Sequence, residues 1–162
     1  MGHAPQLDPC GIGGGAMSGF DIKGWCPGAL RPMASGDGLV LRIRAPNGRL
    51  TPDQARGIAG LSRRHGNGLI DLTSRANLQL RGVGAAGHLA SLDALAEMGL
   101  LDPYAGAESR RNVILSPFAP VDSPAWQAAA AIARAMTSGD APHLPGKFGF
   151  AVDAAPWVLG AV

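Results

Sequence analysis

Leu72-Thr73-Ser74-Arg75-Ala76-Asn77-Leu78-Gln79-Leu80-Arg81-Gly82-Val83 is the stretch whose reading decides the fold. It reads as two short strands joined at a turn. In a strand, residues two apart share a face. Leu78 and Leu80 then face a core, while Asn77, Gln79 and Arg81 face the other way, with Arg75 at the start of that row. A row of planar, multidentate donors on one sheet face suits carboxylates. A merely solvated face of an antiparallel sheet produces the same alternation, so the pattern alone leaves both readings open.

The surrounding elements extend this pair. Leu39 to Arg44 alternates as a strand, with Leu39, Leu41 and Ile43 on one face and Arg42 and Arg44 on the other. Thr51-Pro52-Asp53-Gln54 is a capping box with proline at the first helical position. It opens a helix to about His65 that buries Ala55, Ile58, Ala59 and Leu61 before Gly66 and Gly68 end it. Leu69–Thr73 and Asn77–Val83 are the two strands of the opening stretch. A second helix runs from about Ala86 to Met98 with Leu89, Leu92, Leu95 and Ala96 inward. An extended segment near Leu100-Leu101 supplies a fourth strand. The order is β-α-β-β-α-β, an α+β, ferredoxin-like split unit with helices on one sheet face only. The other face would carry Arg42, Arg44, Asn77, Gln79 and Arg81.

Further along, Asn112–Leu115 reads as a strand, Pro124 opens an Ala-rich helix ending near Ser138-Gly139, and Lys147–Asp153 alternates as a strand. Three regions follow: a flexible Gly-rich leader over 1–22, the ferredoxin-like half-domain over 23–102, and the start of a second α+β domain over 103–162. The pentapeptide Gly11–Gly15 is not a phosphate loop, because no strand precedes it and no Lys-Ser/Thr follows.

Composition narrows the class. A chain of 162 residues can bury one ordinary core. A net charge of +2 predicts no nucleic-acid partner. No apolar run reaches the length of a membrane span, and no signal peptide is evident, so the expected setting is the cytoplasm. Of the fourteen basic residues only Lys23 and Lys147 are lysines, which sets Lys147 apart. The two cysteines, Cys10 and Cys26, cannot supply a zinc site and read as free thiols. Cys26 reads foremost as packing or a tight turn beside Trp25 and Pro27, with a ligand or a redox thiol as the other readings. His65 sits where it complements a helix dipole, and neither His88 nor His143 has a partner at ligand spacing.

The motifs carry a resemblance. Thr73, Arg75, Gln79, Arg81, Gly82 and Val83 match the T-T-R-Q-x-x-Q run and R-G-V tail that opens the nitrite and sulfite reductase superfamily, with Ser74 and Ala76 as departures. Arg111-Asn112-Val113 with Ser116-Pro117 resembles its R-N-V-x-x-x-P element. Leu144-Pro145-Gly146-Lys147-Phe148 resembles L-P-R-K-F-K, with Gly149 in place of the second lysine. Upstream, Gly24 to Met33 and Gly66 to Thr73 are similar to the precorrin-3B synthase branch. The likeness covers about residues 23 to 153.

The resemblance implies a tetrapyrrole substrate, precorrin-3A, an oxygen-dependent hydroxylation with lactone closure, a [4Fe-4S] cluster and a non-haem iron. It implies Arg75, Asn77, Gln79, Arg81, Arg111 and Lys147 as substrate-binding residues. A cubane cluster needs four ligands, usually thiolates, and no cysteine follows Cys26. The expectation is therefore an N-terminal part, inactive alone, whose cluster ligands come from a C-terminal half or a partner chain. Alternatives are a sirohaem-dependent nitrite or sulfite reductase and a non-catalytic tetrapyrrole-binding fragment. Clustered cations serve reduction of a small anion, so the missing second lysine weighs against the reductase.

Overall fold

The computed structural model describes residues 27–145 and 147–153. The expected leader, Cys10, Lys23, Cys26 and Gly146 lie outside them. The elements run β1 (Met33–Ser35), β2 (Gly38–Ile43), α1 (Pro52–His65), β3 (Ile70–Leu72), β4 (Leu78–Val83), α2 (Ala85–Glu97), α3 (Ala105–Arg110), β5 (Val113–Leu115), α4 (Pro124–Thr137) and β6 (Phe150–Val152). The architecture is α+β. One antiparallel sheet has the order β1-β2-β4-β3, and β5 pairs in parallel with β6 as a second, smaller sheet.

The core confirms the face assignment of the central strands. Leu41 and Ile43 on β2, Leu80 and Val83 on β4, Ile58 and Leu61 on α1, and Leu95 on α2 form one buried cluster. Each such side chain stabilises the fold by about 1.5–3 kcal/mol through removal from water. The capping box forms as read: Gln54 N donates to Thr51 Oγ1 at 3.1 Å, and Thr51 N donates to Gln54 Oε1 at 2.9 Å.

The fourth strand is not where the sequence placed it. Leu100-Leu101 forms no strand; its place is taken by β1, which turns through Gly36-Asp37 into β2. Gly99 ends α2 at φ +67°, and Leu100 N donates to Leu95 O at 2.8 Å. This left-handed cap drops Leu100 into the core rather than along the sheet. Helix faces are also rotated from expectation. Ala55, Leu89 and Ala96 are exposed, whereas Ser62 and Ser91 are buried. Their hydroxyls donate to Leu69 O and Gly87 O, which lets polar residues occupy inward positions.

Strict alternation would turn Val83 outward. The β2–β4 register instead slips between Leu39↔Val83 and Leu41↔Leu80, a bulge that returns Val83 to the core. Gly82 permits it at φ +63°, where an added Cβ would stand 2.8 Å from Asn67 Cβ. Gly82→Ala should therefore lower stability by about 1–3 kcal/mol, from the left-handed backbone and the collision together. Urea unfolding measures it; an unchanged midpoint would contradict the bulge.

Candidate anion-binding site

The open face of the large sheet is built on cross-strand pairs. Arg42 on β2 lies opposite Gln79 on central β4, and Gln79 lies opposite Asp71 on β3. With its amide oriented to satisfy both groups, Gln79 accepts from Arg42 Nε at 3.2 Å and Nη2 at 2.7 Å. Both guanidinium bonds hold the Arg42 fork to one acceptor, which fixes its plane.

Arg75 stands at the tip of the β3–β4 hairpin. Thr73 N donates to Asn77 O at 2.9 Å, Ala76 N donates to Thr73 O at 3.0 Å, and Asn77 N donates to Thr73 Oγ1 at 3.1 Å. Ala76 takes φ +54° so that the chain can enter β4. Thr73 thus serves as the staple of the turn that carries Arg75.

Arg42, Thr73, Ser74, Arg75 and Lys147 line one depression of about 270 Å³. Three cations from distant parts of the sequence meet there, with no carboxylate among the lining residues. A space below the ~300 Å³ of ordinary ligand pockets suits acid groups at a ligand's edge rather than a whole macrocycle.

The other expected site residues stand elsewhere. Arg81 lies across the same sheet face, its Nε 3.7 Å from Asp71 Oδ2 and its Nη2 donating to Ser35 Oγ at 3.4 Å. Asn77 is buried, and its backbone closes the turn. Arg111 forks onto Asp102, with Nε–Oδ1 2.6 Å and Nη2–Oδ2 2.9 Å, and donates to Arg44 O at 2.9 Å. It borders a different cavity of about 310 Å³, beside Asp102 and α4. The structure therefore brings Arg75, Gln79 and Lys147 together around Arg42, and does not bring Arg111 to them.

Arg44, expected on the open face, is only 5% exposed. Its Nη1 lies 3.8 Å from Glu108 Oε1, and its Nε donates to Asn112 Oδ1 at 3.4 Å. Glu108 also accepts from Ala29 N at 2.5 Å and Leu30 N at 3.2 Å. Asn112 in turn donates to Phe148 O at 3.1 Å, and Phe150 N donates to Asn112 O at 2.8 Å. The contact between buried Arg44 and half-buried Asn112 is thus tied to the segment that carries Lys147. An added Cβ at Gly149 would meet Asn112 O at 3.3 Å, tighter than ordinary contact.

Alternation with Leu41 and Ile43 puts Arg42 on the polar face, and no motif marks it for the site. Glu108 gave no such signal, because its partners Ala29 and Leu30 lie 79 and 78 residues away, whereas Asn112 stood in the Arg-Asn-Val match without its contact to Arg44 being legible. His88 Nε2 lies 2.8 Å from Ala29 O. Among the described residues no group of three or more His, Cys, Asp or Glu is placed to hold a metal ion, and no helix is long and apolar enough to cross a membrane.

Residues 31–98 match the family model described as the nitrite/sulfite reductase ferredoxin-like half domain. A precorrin-3B synthase from Sinorhizobium sp is 45% identical over 64 residues, covering 40% of this chain and 14% of that protein. A ferredoxin–nitrite reductase from Leptolyngbya laminosa is 36% identical over 100 residues, covering 61% of this chain and 19% of that protein. The chloroplastic ferredoxin–nitrite reductase of Zea mays is 37% identical over 85 residues, covering 52% and 15%. The chain thus spans between 14 and 19% of the length of these relatives.

Burial pushes the Glu108 carboxyl above its ordinary value of 4.5, against the opposing pull of the Ala29 N–H and the Arg44 charge. The native state then holds this proton more tightly than the unfolded chain does. The associated stability is complete below about pH 4.5 and is lost as pH rises through the raised native value. Glu108→Gln should remove that decline. Urea midpoints from about pH 4 to 8 for both proteins should diverge in slope; parallel curves would refute the assignment.

Proposed function

We propose, from the match of residues 31–98 to the nitrite/sulfite reductase ferredoxin-like half domain, that the chain binds the acid arms of a tetrapyrrole. The convergence of Arg42, Arg75 and Lys147 on one depression carries this reading. The reaction we propose is that of a precorrin-3B synthase-like oxidoreductase of aerobic cobalamin biosynthesis: oxygen-dependent hydroxylation of precorrin-3A with lactone formation. The 45% identity to the Sinorhizobium protein and the glycine at position 149 support this branch.

These residues contribute orientation. Two guanidinium groups and an ammonium pair with carboxylate arms, and Gln79 keeps the Arg42 fork in one plane. Holding the ring edge removes rotational freedom before oxidation begins. The [4Fe-4S] cluster and non-haem iron implied by the family do not fit the described residues, which include no cysteine and no metal-holding cluster. Groups that hold iron would come from other residues or from a partner chain.

A second reading is a sirohaem-dependent nitrite or sulfite reductase, favoured by the longer match to the nitrite reductases. Sirohaem also carries acid arms, so the same depression would serve it. Deleting the coding sequence from the host separates the two. The first reading expects loss of aerobic cobalamin formation with growth on nitrite retained; the reverse phenotype would select the second.

Binding itself is open to direct test. Arg75→Ala should weaken the affinity for uroporphyrin, a polycarboxylate tetrapyrrole, by about 1.5–3 kcal/mol, the usual range for a charge-assisted hydrogen bond. Arg75→Lys should recover part of it, since an ammonium cannot form the planar fork. Fluorescence titration of the chain measures both. Equal affinity of Arg75→Ala and wild type would remove Arg75 from the site.

A further inference from the structure

Among the described residues, Asp71 is the one carboxylate within the strands of the large sheet, and its position divides the charge of the open face. Asp71 lies on β3 opposite Gln79, with Oδ2 3.7 Å from Arg81 Nε. Both side chains remain reachable from solvent, with 51% of Asp71 and 31% of Arg81 exposed. The face therefore has two ends. One is cationic, where Arg42, Arg75 and Lys147 meet without a carboxylate among the lining residues. The other is electrically compensated, where Arg81 is held between Asp71 and Ser35.

We propose that Asp71 is a specificity-determining residue that admits an uncharged ligand edge over Arg81 and disfavours a further acid arm there. The proposal rests on the polycarboxylate reading of the face and deepens it. A ligand carboxylate approaching Arg81 meets a guanidinium that already has a counterion, and meets the Asp71 charge itself. Because the pair is partly exposed, the Asp71–Arg81 attraction is small, and so is its resistance to exchange. Repulsion between two carboxylates competing for one cation is screened to the same degree, so the expected selectivity is that of one exposed charge pair. The consequence is orientation as well as selection. A macrocycle with acid arms on one side would lie with that side toward Arg42, Arg75 and Lys147, and with its less charged side over Arg81.

The experiment compares uroporphyrin, which has an acetate and a propionate on every pyrrole ring, with coproporphyrin, which keeps only the propionates. Affinities are measured for wild type, Asp71→Asn and Asp71→Asn/Arg81→Gln at one fixed ionic strength. Asp71→Asn should shift the preference toward uroporphyrin about fivefold, the equivalent of one exposed charge pair. The double variant should return toward the wild-type ratio, because the cation released by the first substitution is gone. A simple packing defect would lower both affinities alike and would not be reversed by the second change. Wild-type binding that is weakened in Arg75→Ala, combined with an Asp71→Asn ratio equal to wild type, would overturn the role of Asp71 and leave the polycarboxylate reading standing. No binding of either porphyrin by wild type or Asp71→Asn would overturn both.

Discussion

The register between β2 and β4 is the constraint on which the site depends. Leu41 pairs with Leu80 on the helix-covered side, and Arg42 pairs with Gln79 on the other. Side chains in a strand repeat every two residues, so a slip of one would send the arginine into the core and the leucine into solvent. The buried Leu41, Ile43 and Leu80 make that slip costly. The apolar core thereby fixes which cations stand on the open face of the sheet. The bulge at Gly82 completes the arrangement, since it returns Val83 to the core while leaving Arg81 on the open side.

A second constraint brings Lys147 to the same place. Arg44 lies two residues beyond Arg42 and is buried against Glu108 and Asn112. Asn112 reaches Phe148 O, next to Lys147. A buried cation left without its partners would be strongly destabilising, so Arg44 draws α3 and β5 onto the sheet. Arg49 adds a nearby tie: its Nη2 donates to Ala119 O at 2.6 Å, and its guanidinium lies 5.2 Å from the Trp126 ring centre. The asparagine of the Arg-Asn-Val element thus has a positioning role here, and its arginine closes on Asp102.

What was legible in the sequence follows from the range of each interaction. The capping box of α1, the β3–β4 hairpin and the faces of Leu41, Ile43 and Leu80 depend on residues a few positions apart, and all three were read from periodicity or local motifs. The fourth strand was misplaced because the left-handed cap at Gly99, itself legible as the stop of α2, turns Leu100 into the core in spite of the extended look of Leu100-Leu101. The inward faces of both helices were shifted by serines whose hydroxyls find backbone acceptors. The site was half visible. Arg75, Gln79 and Lys147 matched motifs, whereas the burial of Arg44 and the closure of Arg111 on Asp102 depend on packing that periodicity does not encode.

Arg42, Arg75 and Lys147 line one depression on the open face of the sheet, and we propose that they act there as one anion site. The most direct measurement is a nuclear magnetic resonance titration of the isotopically labelled chain with uroporphyrin. The Nε–H signals of Arg42 and Arg75 and the backbone amide of Lys147 should move along one common binding curve, while the core amides of Leu41 and Leu80 stay in place. Separate curves for Arg42 and Lys147, or shifts concentrated on α1 and α2, would contradict the account.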